Sequence, residues 1–137
     1  MRSRPLGGRP VVVVDGARTP FLKSQTGFDG LMAYELGAMA VSGLLAKTAI
    51  DPGLVDRLIF GTVISDSSTS NLAREVGLVA GLPKECPANT VTAACVSSNI
   101  AISNGVEAIS AGTADVVIAG GAETLSDVPI RFRRPIR

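Results

Sequence analysis

The sequence predicts an α/β domain built on a mostly parallel sheet. Strand-like apolar runs alternate with helix-periodic stretches in the order β-α-β-α-β-α-β. Small and β-branched residues dominate, with no Trp and a single Tyr, a balance that suits tightly packed layers. The 137 residues suffice for one domain with a core and are too few for two ordinary ones. Alternation of this kind implies right-handed crossovers between neighbouring parallel strands.

The elements follow in order. "PVVVVDG", residues 10–16, is a continuous apolar run ended by Asp-Gly and reads as a strand buried on both faces. Pro20 then forbids a helical continuation, and residues 24–30 form a Gly-rich polar loop. From Met32 to about Thr48, apolar positions recur at helical spacing, and "DPG" at 51–53 makes the stop. "RLIFGTVI", 57–64, is the second strand. In the polar loop at 65–71, Ser70 or Asn71 can cap the helix "LAREVGLVAG", which Gly81 and Pro83 close. "ANTVTAA", 88–94, is the third strand, followed by a helix from about Val96 to Ala111 that Gly112 ends; "ADVVIAGG", 114–121, is the fourth strand.

The helix after Cys95 carries apolar and small residues around most of its circumference, among them Ile100, Ala101, Ile102, Gly105 and Ile109. Such a helix is central rather than superficial. One small sheet cannot cover every side of it, so a second layer or subunit is expected. The tail "AETLSDVPIRFRRPIR" shows no closing helix and no packing periodicity.

Composition narrows the function. The chain is 46% hydrophobic and 18% charged, as packed domains are, and its net charge of +1 gives no overall field for nucleic acid or membrane. Seven of the 13 basic residues lie at the ends: Arg2, Arg4, Arg9, Arg131, Arg133, Arg134 and Arg137. A terminal cluster of this kind reads first as a solvated tail, with a phosphate contact as the alternative. No apolar run approaches the roughly 20 residues needed to span a bilayer, and "MRSRPLGGRP" lacks the apolar centre of a secretory signal. With two cysteines, no C-x-x-C pair and no disulfide framework, the expectation is an intracellular, reducing, cytoplasmic setting.

Cys95, in "NTVTAACVSSN" at 89–99, sits where strand pattern gives way to helix pattern. Unpaired N–H groups and the positive end of the helix dipole favour a thiolate there and could hold an oxyanion. Ligands gather beyond the carboxyl ends of strands in an open α/β sheet, which is where Cys95 falls. Position alone leans the other way, toward a small buried hydrophobe. A cysteine nucleophile also needs a base, most often histidine, and this chain has no histidine. Cys86, in the turn "PKECPAN", reads as structural. The paired glycines of "VVIAGGAE" lack G-x-G-x-x-G and a prompt following helix, so close backbone approach is a better reading than a dinucleotide cradle.

Five ordered blocks, "VVVVDGARTPF", "IFGTVI", "SNLAREVGLVAGLP", "NTVTAACVSSN" and "VVIAGGAETLSDVPIR", resemble the amino-terminal domain of thiolases, over about residues 10–137. The "SDVPIR" ending and the serines after Cys95 resemble most the trifunctional-type branch of the 3-ketoacyl-CoA thiolases. Ser98 stands where many thiolases carry Gly. The resemblance implies a thiolase-like amino-terminal half with a central buried helix, cut short. Its expected organisation is a basic tail over 1–9, the domain over 10–122 and the start of a loop region over 123–137. It implies that Cys95 is the nucleophile that takes the acyl group from a 3-ketoacyl-CoA, releasing acetyl-CoA, and passes it to coenzyme A. Coenzyme A is then a substrate, with no bound cofactor and no metal. The implied partners are acyl-CoA, further copies of the chain in a dimer or tetramer, and a hydratase/dehydrogenase subunit, with no nucleic acid. The family's histidines and second cysteine belong to carboxy-terminal motifs outside this chain, so the chain alone is expected to be inactive. A ketosynthase-like condensing enzyme, sharing the fold and a similar "TAAC" turn, and a non-catalytic assembly fragment stand as alternatives.

Overall fold

The computed structural model describes residues 8–128 and 130. Its sheet has three strands, all parallel, in the order β2-β1-β3: β1 Arg57–Gly61, β2 Ala88–Val91 and β3 Val117–Gly121. Register pairs Gly61 with Val91 on one side and with Gly121 on the other, so the three carboxyl ends lie level. Helix α1, Ala33–Thr48, precedes β1; α2, Leu72–Val79, joins β1 to β2; and α3, Ser97–Ser110, joins β2 to β3.

Period-two alternation divides the sheet into two unlike faces. Leu58 and Phe60 of β1 and Ile118 of β3 join Val41 and Leu45 of α1 and Leu72, Ala73 and Val76 of α2 in one apolar core. The other face, with the fully buried Ile59 beside Gly61, Val117, Ala119 and Gly121, receives α3 through a stripe of small residues: Ser97, Ala101, Gly105 and Ala108. A Cβ on Gly105 would lie 3.2 Å from Val117 Cγ1, so helix and strand are already in close contact.

The helix boundaries follow local chemistry. Asn71 is the cap of α2: its Oδ1 accepts from Arg74 N–H at 3.2 Å, and its Nδ2 donates to the Ala88 carbonyl. The Met32 N–H donates to Glu35 Oε2 and so closes the start of α1. Gly81 and Gly112, at φ 87° and 74°, reverse the chain after α2 and α3.

One expectation is corrected. Residues 10–16 form no strand, and Val13 is 89% exposed. An apolar run becomes a strand only where it meets a hydrogen-bonding edge. This one is tethered elsewhere, by the Arg9 N–H on the Ser110 carbonyl, the Arg9–Asp115 ion pair and Lys47 on Asp15. As one small sheet implies, α3 is buried along its small-residue stripe, and Ile100, Ile102 and the preceding Val96 are exposed. The basic residues Arg2, Arg4, Arg131, Arg133, Arg134 and Arg137 lie outside the described residues. Among the described residues, no helix is long and apolar enough to cross a membrane.

Candidate active site

Strand β2 ends at Val91, and four residues later the chain delivers Cys95 to the start of α3. The reversal happens at Ala94, whose φ of 48° is left-handed. That conformation costs a non-glycine residue about 1–2 kcal/mol. Within this turn the Val96 and Ser97 N–H groups donate to the Ala93 and Ala94 carbonyls. The first helical N–H with an acceptor in the regular pattern belongs to Ile100, on Val96. The Ser98 and Asn99 N–H groups, three and four residues beyond Cys95, have no acceptor among the described residues. They are the dipole-positive end of α3.

Cys95 is exposed and lines an open cleft of about 650 Å³. The cleft is walled by the carboxyl ends of β1 and β3 (Gly61, Thr62, Gly121, Ala122), by the start of α3 and by the segment 17–24. Glycines let these walls come together. A Cβ on Gly61 would sit 2.5 Å from both the Ser97 carbonyl carbon and the Ser98 nitrogen. A Cβ on Gly121 would collide with Ser98 Oγ and lie 2.8 Å from the Gly61 carbonyl oxygen. Only glycine at these positions allows the head of α3 to rest on the strand ends. The loop leaving β1 is pinned by Glu123, whose carboxylate accepts from the N–H groups of Val63 (2.7 Å) and Ile64 (3.2 Å) and from Thr62 Oγ1.

A family model described as "Thiolase, N-terminal domain" matches residues 11–137. This chain belongs to the thiolase family. It is 52% identical, over 94% of its length, to the mitochondrial trifunctional enzyme subunit beta of Homo sapiens, of which it covers 27%. It is 49% identical to a probable 3-ketoacyl-CoA thiolase of Caenorhabditis elegans, over 93% of its own length and 28% of that protein. A crystal structure of the Bacillus anthracis acetyl-CoA acetyltransferase superposes with a TM-score of 0.89 at 26% identity, covering 94% of this chain and 33% of that one. The chain thus spans little more than a quarter of the curated relatives it matches.

Within this thiolase domain the two cysteines are separated by environment. Cys86 is 6% exposed in the main core, where burial pushes its thiol up from the ordinary value despite the partly opposing Arg74 guanidinium. Cys95 is not the small buried hydrophobe that position alone suggested; it faces the cleft. The paired glycines are contact glycines: Gly120 packs on the Phe60 ring and Gly121 on the head of α3. Among the described residues no His, Cys, Asp and Glu cluster could hold a metal ion.

Sequence reasoning missed Gly61, Ser97 and Glu123. A glycine closing an apolar strand run, as in "LIFG", was the available signal for the first. The Glu123 bonds reach back about 60 residues and leave no local pattern. The Ser97 bonds are local but depend on a left-handed turn at Ala94, which an alanine does not announce.

Proposed function

We propose that this chain is the amino-terminal portion of a 3-ketoacyl-CoA thiolase and that Cys95 is its acyl-carrying nucleophile. The observation that supports this most is the exposed thiol at the mouth of a cleft, three residues before the first of the acceptor-free N–H groups at the head of α3. In the proposed reaction the Cys95 sulfur bonds to the 3-keto carbon and the C2–C3 bond breaks. Acetyl-CoA departs once its C2 carbanion has taken a proton, leaving a Cys95 thioester. The thiol of coenzyme A then takes the acyl group, and the cysteine sulfur leaves. The base for the thiol and the acid for C2 come from residues outside this chain, which has no histidine. The same reading gives the organisation as a basic tail over 1–9, a domain over 10–122 and the first part of a loop region from 123. It gives a multi-subunit enzyme with a hydratase/dehydrogenase subunit and, in a eukaryote, a mitochondrial setting, as its human relative's name suggests.

A thiolysis assay with a medium-chain 3-ketoacyl-CoA tests the reading. A protein extending this chain through the carboxy-terminal thiolase motifs turns over, its Cys95→Ala variant does not, and the 137-residue chain alone does not. Turnover that survives Cys95→Ala overturns the assignment.

A second reading, an assembly fragment without catalysis, draws on the exposed Val12–Val14 run and the open face of α3. Size-exclusion chromatography of the 137-residue chain separates the cases, since a clean monomer contradicts an assembly role.

A further inference from the structure

We propose that Ser97 is a positioning residue whose hydroxyl holds the Cys95 turn in its left-handed form. This rests on reading Cys95 as the nucleophile and names the group that fixes its place. Ser97 is 3% exposed, whereas its neighbours Val96 and Ser98 are exposed. Its Oγ accepts from the Ala93 N–H at 2.8 Å and donates to the Ala94 carbonyl at 2.6 Å. The two bonds clasp the peptide units on either side of the Ala94 reversal, with Cys95 and Val96 enclosed in the loop they close.

The pattern is unusual for a serine at a helix start. A capping serine stands before the helix and accepts from N–H groups ahead of it. Ser97 stands inside the first turn and reaches back. A serine in a helix commonly donates to a carbonyl three or four residues earlier. Accepting from the N–H four residues earlier is different, because in a continuous helix that N–H points away. The bond exists here because the chain reverses at Ala94. No other side chain among the described residues hydrogen-bonds to the backbone of Ala93 or Ala94. Without the hydroxyl, Ala94 has no side-chain counterweight to its unfavourable φ. The turn then relaxes, and Cys95 moves off the head of α3.

The test uses the 137-residue chain as wild type, Ser97→Ala and Ser97→Thr. Iodoacetamide alkylation is timed and mapped to each cysteine by mass spectrometry, and amide exchange is read at Ala93. In the wild type, Cys95 reacts faster than in the urea-unfolded chain and the Ala93 amide is protected. Ser97→Ala slows Cys95 about tenfold and Ser97→Thr restores it, while Cys86 stays slow in all three. A Ser97→Ala rate equal to wild type, or a Thr variant as slow as Ala, overturns the positioning role. If Ser97→Ala does not fold, the wild-type Ala93 amide decides: exchange at the unfolded-chain rate overturns the proposal. A wild-type Cys95 no faster than in urea, beside a protected Ala93, overturns the nucleophile reading instead.

Discussion

The two faces of the sheet are built on opposite rules, and the two cysteines fall one on each side of that division. The face under α1 and α2 is filled by large side chains, Leu58, Phe60, Val76 and Leu82, with Cys86 among them. The face under α3 works by close approach: Gly61, Gly121 and Gly105 let backbone approach backbone around the buried Ile59, and the helix side chains that meet it are small. Large-residue packing supplies burial free energy and tolerates no reactive opening. Small-residue packing supplies less but brings a helix start within reach of two strand ends. The result on that side is a cleft with an exposed thiol. The stable face carries the platform and the close-approach face carries the chemistry.

Four measurements sharpen or break the division. The largest effect belongs to Phe60→Ala, which leaves a cavity in the large-residue face and should cost about 3–5 kcal/mol in urea unfolding. Gly61→Ala attacks the other face by the opposite means, overpacking, and should cost about 1–3 kcal/mol. It should also change the Cys95 alkylation rate, which a core cavity at position 60 should not do if the variant folds. A neutral Gly61→Ala would show that α3 is free to slide and would break the close-approach account. The cysteines come next. Cys86→Ala should cost about 1–2 kcal/mol, and Cys95→Ala should stay within about 0.5 kcal/mol of wild type.

The smallest effect is in acid and lies at the far end of the strands. Asp56 accepts from the Asp115 (2.7 Å) and Val116 (2.9 Å) N–H groups. Those bonds hold its carboxyl below the ordinary 3.8. Because the folded value lies below the unfolded one, its contribution is complete above about 3.8 and fades as pH falls through the folded value. Asp56→Asn should therefore flatten the acid limb of the stability curve and leave Cys95 reactivity unchanged. An unaltered acid limb would remove Asp56 from the account.

How much of this could be read from sequence differed by face as well. Helices α1, α2 and α3, the three central strands, the Asn71 cap and the Gly112 stop follow from periodicity and end signals, which are local. The segment 10–16 could not be placed that way. Four consecutive valines report that something covers them, not which edge they meet, and in this structure no edge receives them. Cys95 was legible as a residue of interest because a pattern change marks it. Its exposure was not, since that depends on Gly61 and Gly121 meeting Ser97 and Ser98 across long stretches of chain. Glu123 was silent for the same reason, and Ser97 because its local bonds depend on a left-handed φ at Ala94 that alanine does not signal.

The central claim is that the close-approach face presents Cys95 to a substrate while the large-residue face withholds Cys86. Acyl mapping tests it most directly. A full-length protein carrying this chain is incubated with a 3-ketoacyl-CoA in the absence of free coenzyme A, quenched in acid and digested, and the thioester is located by mass spectrometry. The account predicts one acyl group on Cys95 and none on Cys86. An acyl group on Cys86, or on neither cysteine, would contradict it.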